Sequence, residues 1–162
     1  MFGPTFNLST LNGSNGFAIN GIAAYDESGF SVSSAGDVNG DGFDDLIIGA
    51  YNADPNGIFR AGQSYVVFGS NSGFGASFNL STLNGSNGFA INGIAAFDFS
   101  GLSVSSAGDV NGDGFDDLII GARNADPNGI SDAGQSYVVF GSNSGFGAGL
   151  DLSTLNGSNG FA

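Results

Sequence analysis

The 162-residue sequence has no cysteine, histidine, tryptophan or lysine, and its only side-chain cations are Arg60 and Arg123. Each absence removes a class of chemistry. Without Cys or His there is no disulfide framework, no thiolate or imidazole metal site, and neither Cys–His nor Ser–His catalysis. Two cations against 15 acidic residues give a formal charge of −13, so the counterion-releasing surface that nucleic acids need cannot be built. Anionic membranes are disfavoured on the same ground. No apolar run approaches the ~20 residues of a membrane span, and the opening Met1-Phe2-Gly3-Pro4 has neither the charged nor the apolar region of a signal peptide. A single Glu would leave general acid–base work to Asp and Tyr, so an enzyme is not expected.

What the chain does have is glycine, phenylalanine and repetition. Thirty Gly are set against 16 Phe and a hydrophobic fraction of 41%, enough apolar material for a core, which argues against low-complexity disorder. Shifting the sequence by 72 residues aligns 6–77 with 78–149, with seven positions different, and a truncated third copy occupies 150–162. A period of that size is too long for leucine-rich or ankyrin repeats and points to one multi-stranded unit per period. The copies abut, so the chain reads as one region, 1–162, with no linker.

Within a period the apolar pattern is that of strands. Phe17-Ala18-Ile19-Asn20-Gly21-Ile22 and Gly29-Phe30-Ser31-Val32-Ser33 alternate, whereas Leu46-Ile47-Ile48-Gly49-Ala50 and Tyr65-Val66-Val67-Phe68 are unbroken apolar runs, as in strands covered on both faces. Asn-Gly, Asp-Gly and Ser-Gly pairs between them mark turns. The expected fold is all-β: four-stranded antiparallel blades of a β-propeller, about two of them, an incomplete ring. A two-sheet sandwich is the alternative. Taking strands at 29–36, 46–50 and 63–69, the outer fourth strand of the first blade is Phe89-Ala90-Ile91-Asn92, already inside the next period. Phe17-Ala18-Ile19-Asn20 is then a fourth strand without a blade, and the second blade's fourth strand is cut at Gly160-Phe161-Ala162. Two blades cannot close a ring of four to eight. The chain is therefore expected to be a fragment of a longer propeller, or a protomer that assembles several copies.

The segment Asp37-Val38-Asn39-Gly40-Asp41-Gly42-Phe43-Asp44-Asp45 recurs unchanged at 109–117, and the two segments hold eight of the 15 acidic residues. Oxygen side chains at positions 1, 3 and 5, Gly at 6 and a carbonyl at 7 suit a hard cation with six to eight oxygen ligands. Asp45 and Asp117 add a carboxylate at position 9. The residue at position 12 is Ile48 or Ile120, not the Glu of an EF-hand. Two carboxylates about 4 Å apart repel by roughly 4 kcal/mol at an effective dielectric of 20, so gathering three without a cation is costly. Asn-Gly-Asp-Gly is also good hairpin-turn sequence needing no metal, but turn chemistry does not require Asp at 1, 5 and 9 together. Asp44 and Asp116, at position 8, are expected to be solvated. Magnesium's strict octahedral demand makes calcium the better fit, one ion per loop, two in all. Loops of the extracellular type bind at roughly 10⁻⁴–10⁻³ M, which implies a secreted or cell-surface address.

The run from Gly29 to Ala50, followed by Gln63-Ser64-Tyr65-Val66-Val67-Phe68-Gly69, resembles the FG-GAP repeat of the integrin α-chain propeller and its bacterial relatives in both periods. The resemblance implies a propeller, commonly of seven blades, with calcium between the first and second strands of a blade. It maps ligands to Asp37, Asn39, Asp41, the Phe43 carbonyl and Asp45, and to Asp109, Asn111, Asp113, the Phe115 carbonyl and Asp117. The family's Gly-Ala-Pro reads Gly49-Ala50-Tyr51 and Gly121-Ala122-Arg123 here.

The seven differences between copies are Tyr25/Phe97, Glu27/Phe99, Phe30/Leu102, Tyr51/Arg123, Phe59/Ser131, Arg60/Asp132 and Ser77/Gly149. Five lie in the links 24–28 and 51–62 and their counterparts, which an antiparallel sheet puts at the end opposite the acidic loops. Tyr25, Tyr51, Phe59, Arg60, Phe97, Phe99 and Arg123 are the candidate ligand-binding residues, since aromatic and Arg side chains on variable loops suit a binding face. Neutral drift of surface loops is the other reading. Asn7, Asn12, Asn79, Asn84 and Asn156 fit the glycosylation pattern but read first as turn residues. Phe6, Leu8 and Leu11, with Phe78, Leu80 and Leu83, are expected to anchor the link between strands three and four. Three functions follow in order: a calcium-stabilised module binding a protein or carbohydrate, a calcium-rigidified spacer, and part of a polysaccharide-acting enzyme.

Overall fold

The computed structural model describes residues 5–162; the Met1–Pro4 opening lies outside the described residues. The described chain is all-β, with short 3₁₀ turns and no α-helix. The first blade contains β2 (Ser31–Gly36), β3 (Asp45–Ala50), β4 (Gln63–Val67) and β6 (Gly88–Asn92), antiparallel throughout. The second contains β7 (Ser100–Gly108), β8 (Asp117–Ala122), β9 (Gln135–Val139) and β11 (Gly160–Phe161) in the same order. Fourth strands thus come from the next sequence period, as the phase predicts. β1 (Ala18–Asn20) pairs with no complete blade.

One feature of the sheets has no counterpart in the sequence pattern. β10 (Gly149–Asp151), in the link that returns from β9 to β11, pairs in parallel with β6 and makes the first sheet five-stranded. β5 (Ser77–Asn79) pairs with β1 in the same register, Ala18 opposite Ser77 through Asn20 opposite Asn79. The link of the second blade therefore straps it to the outer edge of the first, and the link of the first blade makes the same pairing with the lone strand β1.

Apart from the exposed Leu46, the unbroken apolar runs of the first blade end up covered on both sides. Ile47 and Val66 join Val104, Leu118, Ile120 and Val139 in the core between the blades. Their neighbours Ile48, Tyr65 and Val67 turn the other way and pack with Leu80, Ile19 and Phe78. Fully burying one such aliphatic side chain contributes about 1.5–3 kcal/mol, so this interleaving is the main support of the two-blade stack. The expected link anchors divide: Leu80 is buried and Leu11, Phe78 and Leu83 are half-buried, but Phe6 and Leu8 are exposed. The physical reason is that Leu80 has the first blade beneath it, whereas no described sheet lies under Leu8. Four of the five Asn residues of the glycosylation pattern cap turns, as Asn7 Oδ1 accepts Ser9 N–H and Asn12 Oδ1 accepts Ser14 N–H, both at 3.0 Å, whereas Asn79 Oδ1 accepts a bond from Asn20 Nδ2 across the β1–β5 pair.

Candidate functional site

Each acidic nonapeptide sits between the first and second strands of its blade. A bulge between Ser34 and Gly36 ends β2 and throws the chain outward, and Asp45 opens β3; the second blade repeats this between Ser106 and Gly108. Gly40 and Gly42 have φ of 75° and 86°, the left-handed backbone that Gly adopts at least cost.

The loop side chains organise their own backbone. Asp37 Oδ1 accepts the N–H groups of Gly40 at 2.8 Å and Asp41 at 3.0 Å, and its Oδ2 accepts that of Gly42 at 2.9 Å. Asn39 Oδ1 accepts Asp41 N–H, Asp41 Oδ1 accepts Phe43 N–H, both at 2.9 Å, and Asn39 Nδ2 donates to Asp41 Oδ2 at 3.0 Å. Asp45 has no exposed surface; its oxygens accept Val38 N–H at 3.0 Å and Gly69 N–H at 2.8 Å. Asp109, Asn111, Asp113 and Asp117 repeat these bonds. Burial pushes the Asp45 carboxyl up to about 6, against the two N–H bonds that lower it, and the charges of Asp41 and Asp37 push it further.

Among the described residues no three carboxylates are drawn into one cluster; they are spread along the loop. The donor set nevertheless suits calcium. Asp, Asn and a carbonyl supply only hard oxygens, and the Asp45 carboxylate is held at a fixed place by two backbone N–H groups. Asp37, Asn39, Asp41, Asp45 and the Phe43 carbonyl, with their counterparts, are the groups that would hold the ion. A bound divalent cation would supply the charge compensation that these carboxylates otherwise lack. Position 8 departs from expectation. Asp44 is exposed, but Asp116 is half-buried because its carboxylate accepts Asp37 N–H across the blade boundary at 2.9 Å.

The variable links gather at the opposite end. Asn52 N–H donates to Asp26 O at 3.4 Å within the first blade, and Phe97 N–H and Phe99 N–H donate to the carbonyls of Phe59 and Arg60 at 3.1 and 3.2 Å between blades. Tyr51, Phe99 and Arg123 come together with Phe30 and Leu102 around a cavity of about 230 Å³. Tyr51 lies 4.7 Å from Phe30 and 6.0 Å from Phe99 between ring centroids, and its O–H donates to Glu27 Oε2 at 2.5 Å. That bond, before partial burial, raises the Tyr51 phenol. Phe59 meets Phe97 edge-on at 5.3 Å, Arg60 stands 5.0 Å from the Phe59 ring, and Phe97 is 6.4 Å from Phe99. Tyr25 stands apart, 90% exposed. Phe30 and Leu102 were not among the candidates; both are positions where the copies differ, which is the signal that singles them out.

Backbone strain concentrates in these links. Tyr25, Glu27, Arg60, Phe97, Phe99 and Asp132 have φ between 51° and 70°. Bulky side chains in left-handed backbone cost on the order of 1–3 kcal/mol each and cluster at functional sites. These six residues are three of the seven pairs that distinguish the copies.

Comparison with known proteins agrees with this architecture. The FG-GAP repeat family matches the chain twice, over residues 28–67 and 100–139. The chain is 33% identical to integrin alpha-PS2 of Drosophila melanogaster over 139 residues, covering 83% of this chain and 9% of that protein. It is 35% identical to integrin alpha pat-2 of Caenorhabditis elegans over 94 residues, covering 58% and 7% respectively. Phosphatidylinositol-glycan-specific phospholipase D of Bos taurus is 31% identical over 123 residues, covering 75% and 14%. The chain thus spans about a tenth of the length of these curated relatives.

Proposed function

Because the chain belongs to the FG-GAP repeat proteins, with two repeats and the blades to match, we propose that it is a calcium-binding β-propeller module of a secreted or cell-surface protein. The module binds a protein or carbohydrate through the loop end opposite the calcium loops. Its remaining blades are supplied in cis by further repeats or in trans by other copies. The role is one of binding and carries no catalysis.

The observation that carries the calcium reading is the all-oxygen loop itself, in which a fully buried Asp45 carboxylate is fixed by Val38 and Gly69 N–H while Asp37, Asn39 and Asp41 organise the turn above it. An affinity of roughly 10⁻⁴–10⁻³ M, as in extracellular modules, would be useful only where calcium is that abundant, which fits the extracellular address. Among the described residues no helix is long and apolar enough to cross a membrane.

Calorimetric titration with calcium, together with thermal melting in calcium and in chelator, tests the proposal. Two ions per chain are expected, with the melting temperature rising with calcium concentration because the ligand binds only the folded state. At calcium one hundred times the dissociation constant, each site should contribute about 2.7 kcal/mol. Identical melting and protease resistance with and without calcium would refute it. The spacer reading differs only at the far end of the blades, and the strained aromatic links there favour the binding reading.

A further inference from the structure

The two candidate calcium loops are joined by a contact that neither the loop pattern nor the calcium reading requires. Asp116, position 8 of the second loop, reaches across the blade boundary. Its Oδ2 accepts Asp37 N–H at 2.9 Å, and its own N–H donates to Asp37 O at 3.1 Å. Ser142 N–H adds a bond to Val38 O at 2.9 Å. The first loop is shaped for this neighbour: a Cβ on Gly36 would collide with the Asp116 carboxylate, and one on Gly40 with the Phe115 ring. Gly108 and Gly112, the same positions in the second loop, have open space instead.

The connection links ligand to ligand. Asp37 is the first ligand of the first loop, and Phe115 and Asp117, which flank Asp116 in sequence, are the last two of the second. We infer that Asp116 is a positioning residue that makes the two loops take up calcium cooperatively. Fixing Phe115 and Asp117 fixes the backbone of Asp116, and Asp116 then holds the Asp37 backbone where the first loop needs it. The same bond works in reverse, since coupling of two binding equilibria is reciprocal. This inference rests on the calcium reading of the loops. Asp44, exposed at the equivalent position, is an internal control.

The test is a mutant cycle read by calorimetric calcium titration of the whole chain and by the Asp37 amide resonance of ¹⁵N-labelled protein. Asp113→Ala silences the second loop, and Asp41→Ala the first. Silencing the second loop should weaken calcium binding at the first by about fivefold, the lower end of typical couplings. That loss should vanish when Asp116→Ala is also present, remain with Asp116→Asn, which keeps an oxygen acceptor, and remain with Asp44→Ala. Filling the second loop should shift the Asp37 amide even when Asp41→Ala prevents binding at the first, and Asp116→Ala should abolish the shift. Calcium uptake at both loops, with first-loop affinity indifferent to the second or with coupling surviving Asp116→Ala, would overturn this inference alone. No uptake by either loop would overturn it together with the calcium reading.

Discussion

Val38 and Val110 are the same residue in the same nonapeptide, yet Val38 has no exposed surface and Val110 is 51% exposed. The difference is supplied by the neighbouring blade. Val38 lies in the core shared with Leu118 and Val139, and its carbonyl receives Ser142 N–H, while nothing in the described chain plays that part for Val110. Removing two buried methyl groups forfeits about 0.8 kcal/mol each, plus a term for the cavity left behind. Val38→Ala should therefore cost about 2 kcal/mol in urea unfolding, and Val110→Ala less than about 0.5 kcal/mol, as surface substitutions do. Equal losses from the two substitutions would mean that the second loop is covered in solution. Asp116 makes the same point with a polar group: its local sequence is that of exposed Asp44, and only a partner 79 residues away makes it half-buried.

Elements divide into those whose partners are local and those whose partners lie in another copy, and the division accounts for what could be read in advance. β3 and β4 are legible because Leu46-Ile47-Ile48 and Tyr65-Val66-Val67 carry apolar side chains to both faces, and the out-of-step phase places β6 correctly. The Asp, Asn and Gly spacing of the candidate loops is legible because its hydrogen bonds span two to five residues. β5 and β10 are not, since three residues such as Ser77-Phe78-Asn79 are too short a run for alternation to mark a strand, and they pair with a strand of the preceding repeat. At the loop end the links 24–28 and 51–62 could be assigned to one end from topology alone. The cavity they form needed Phe30 and Leu102, which sequence reading treats as strand residues. That cavity gives the binding proposal its sharpest prediction at this scale. In a glycan and matrix-protein array, Tyr51→Ala and Phe99→Ala should each lower retention of any bound ligand by tenfold or more. They should leave calcium uptake unchanged, because the loops lie at opposite ends of the blades. Retention unaffected by both substitutions would favour the spacer reading.

At the scale of the whole molecule, the two blades leave two unlike faces open. Val32 is 65% exposed where its counterpart Val104 is 6% exposed, because β7 packs against the first blade while nothing described packs against β2 from the other side. At the far end Ile119 is exposed where Ile47 is buried. Both faces belong to copies that differ at seven positions, so the open face of the second blade should fit the open face of the first as the two blades already fit each other. Exposed apolar faces and unpaired strand edges favour covering, whether by further repeats or by other copies joined head to tail. A formal charge of −13 on each chain opposes the second route, and the opposition should weaken as added salt shortens the screening length from about 10 Å at 0.1 M to about 3 Å at 1 M. Sedimentation of the 162-residue chain should therefore reveal association that grows with concentration and with salt. Val32→Glu or Ile119→Glu, each placing a charge on one open face, should abolish it without lowering monomer stability by more than about 0.5 kcal/mol. A chain that stays monomeric and melts cooperatively at every salt concentration would show that the two blades need no further cover.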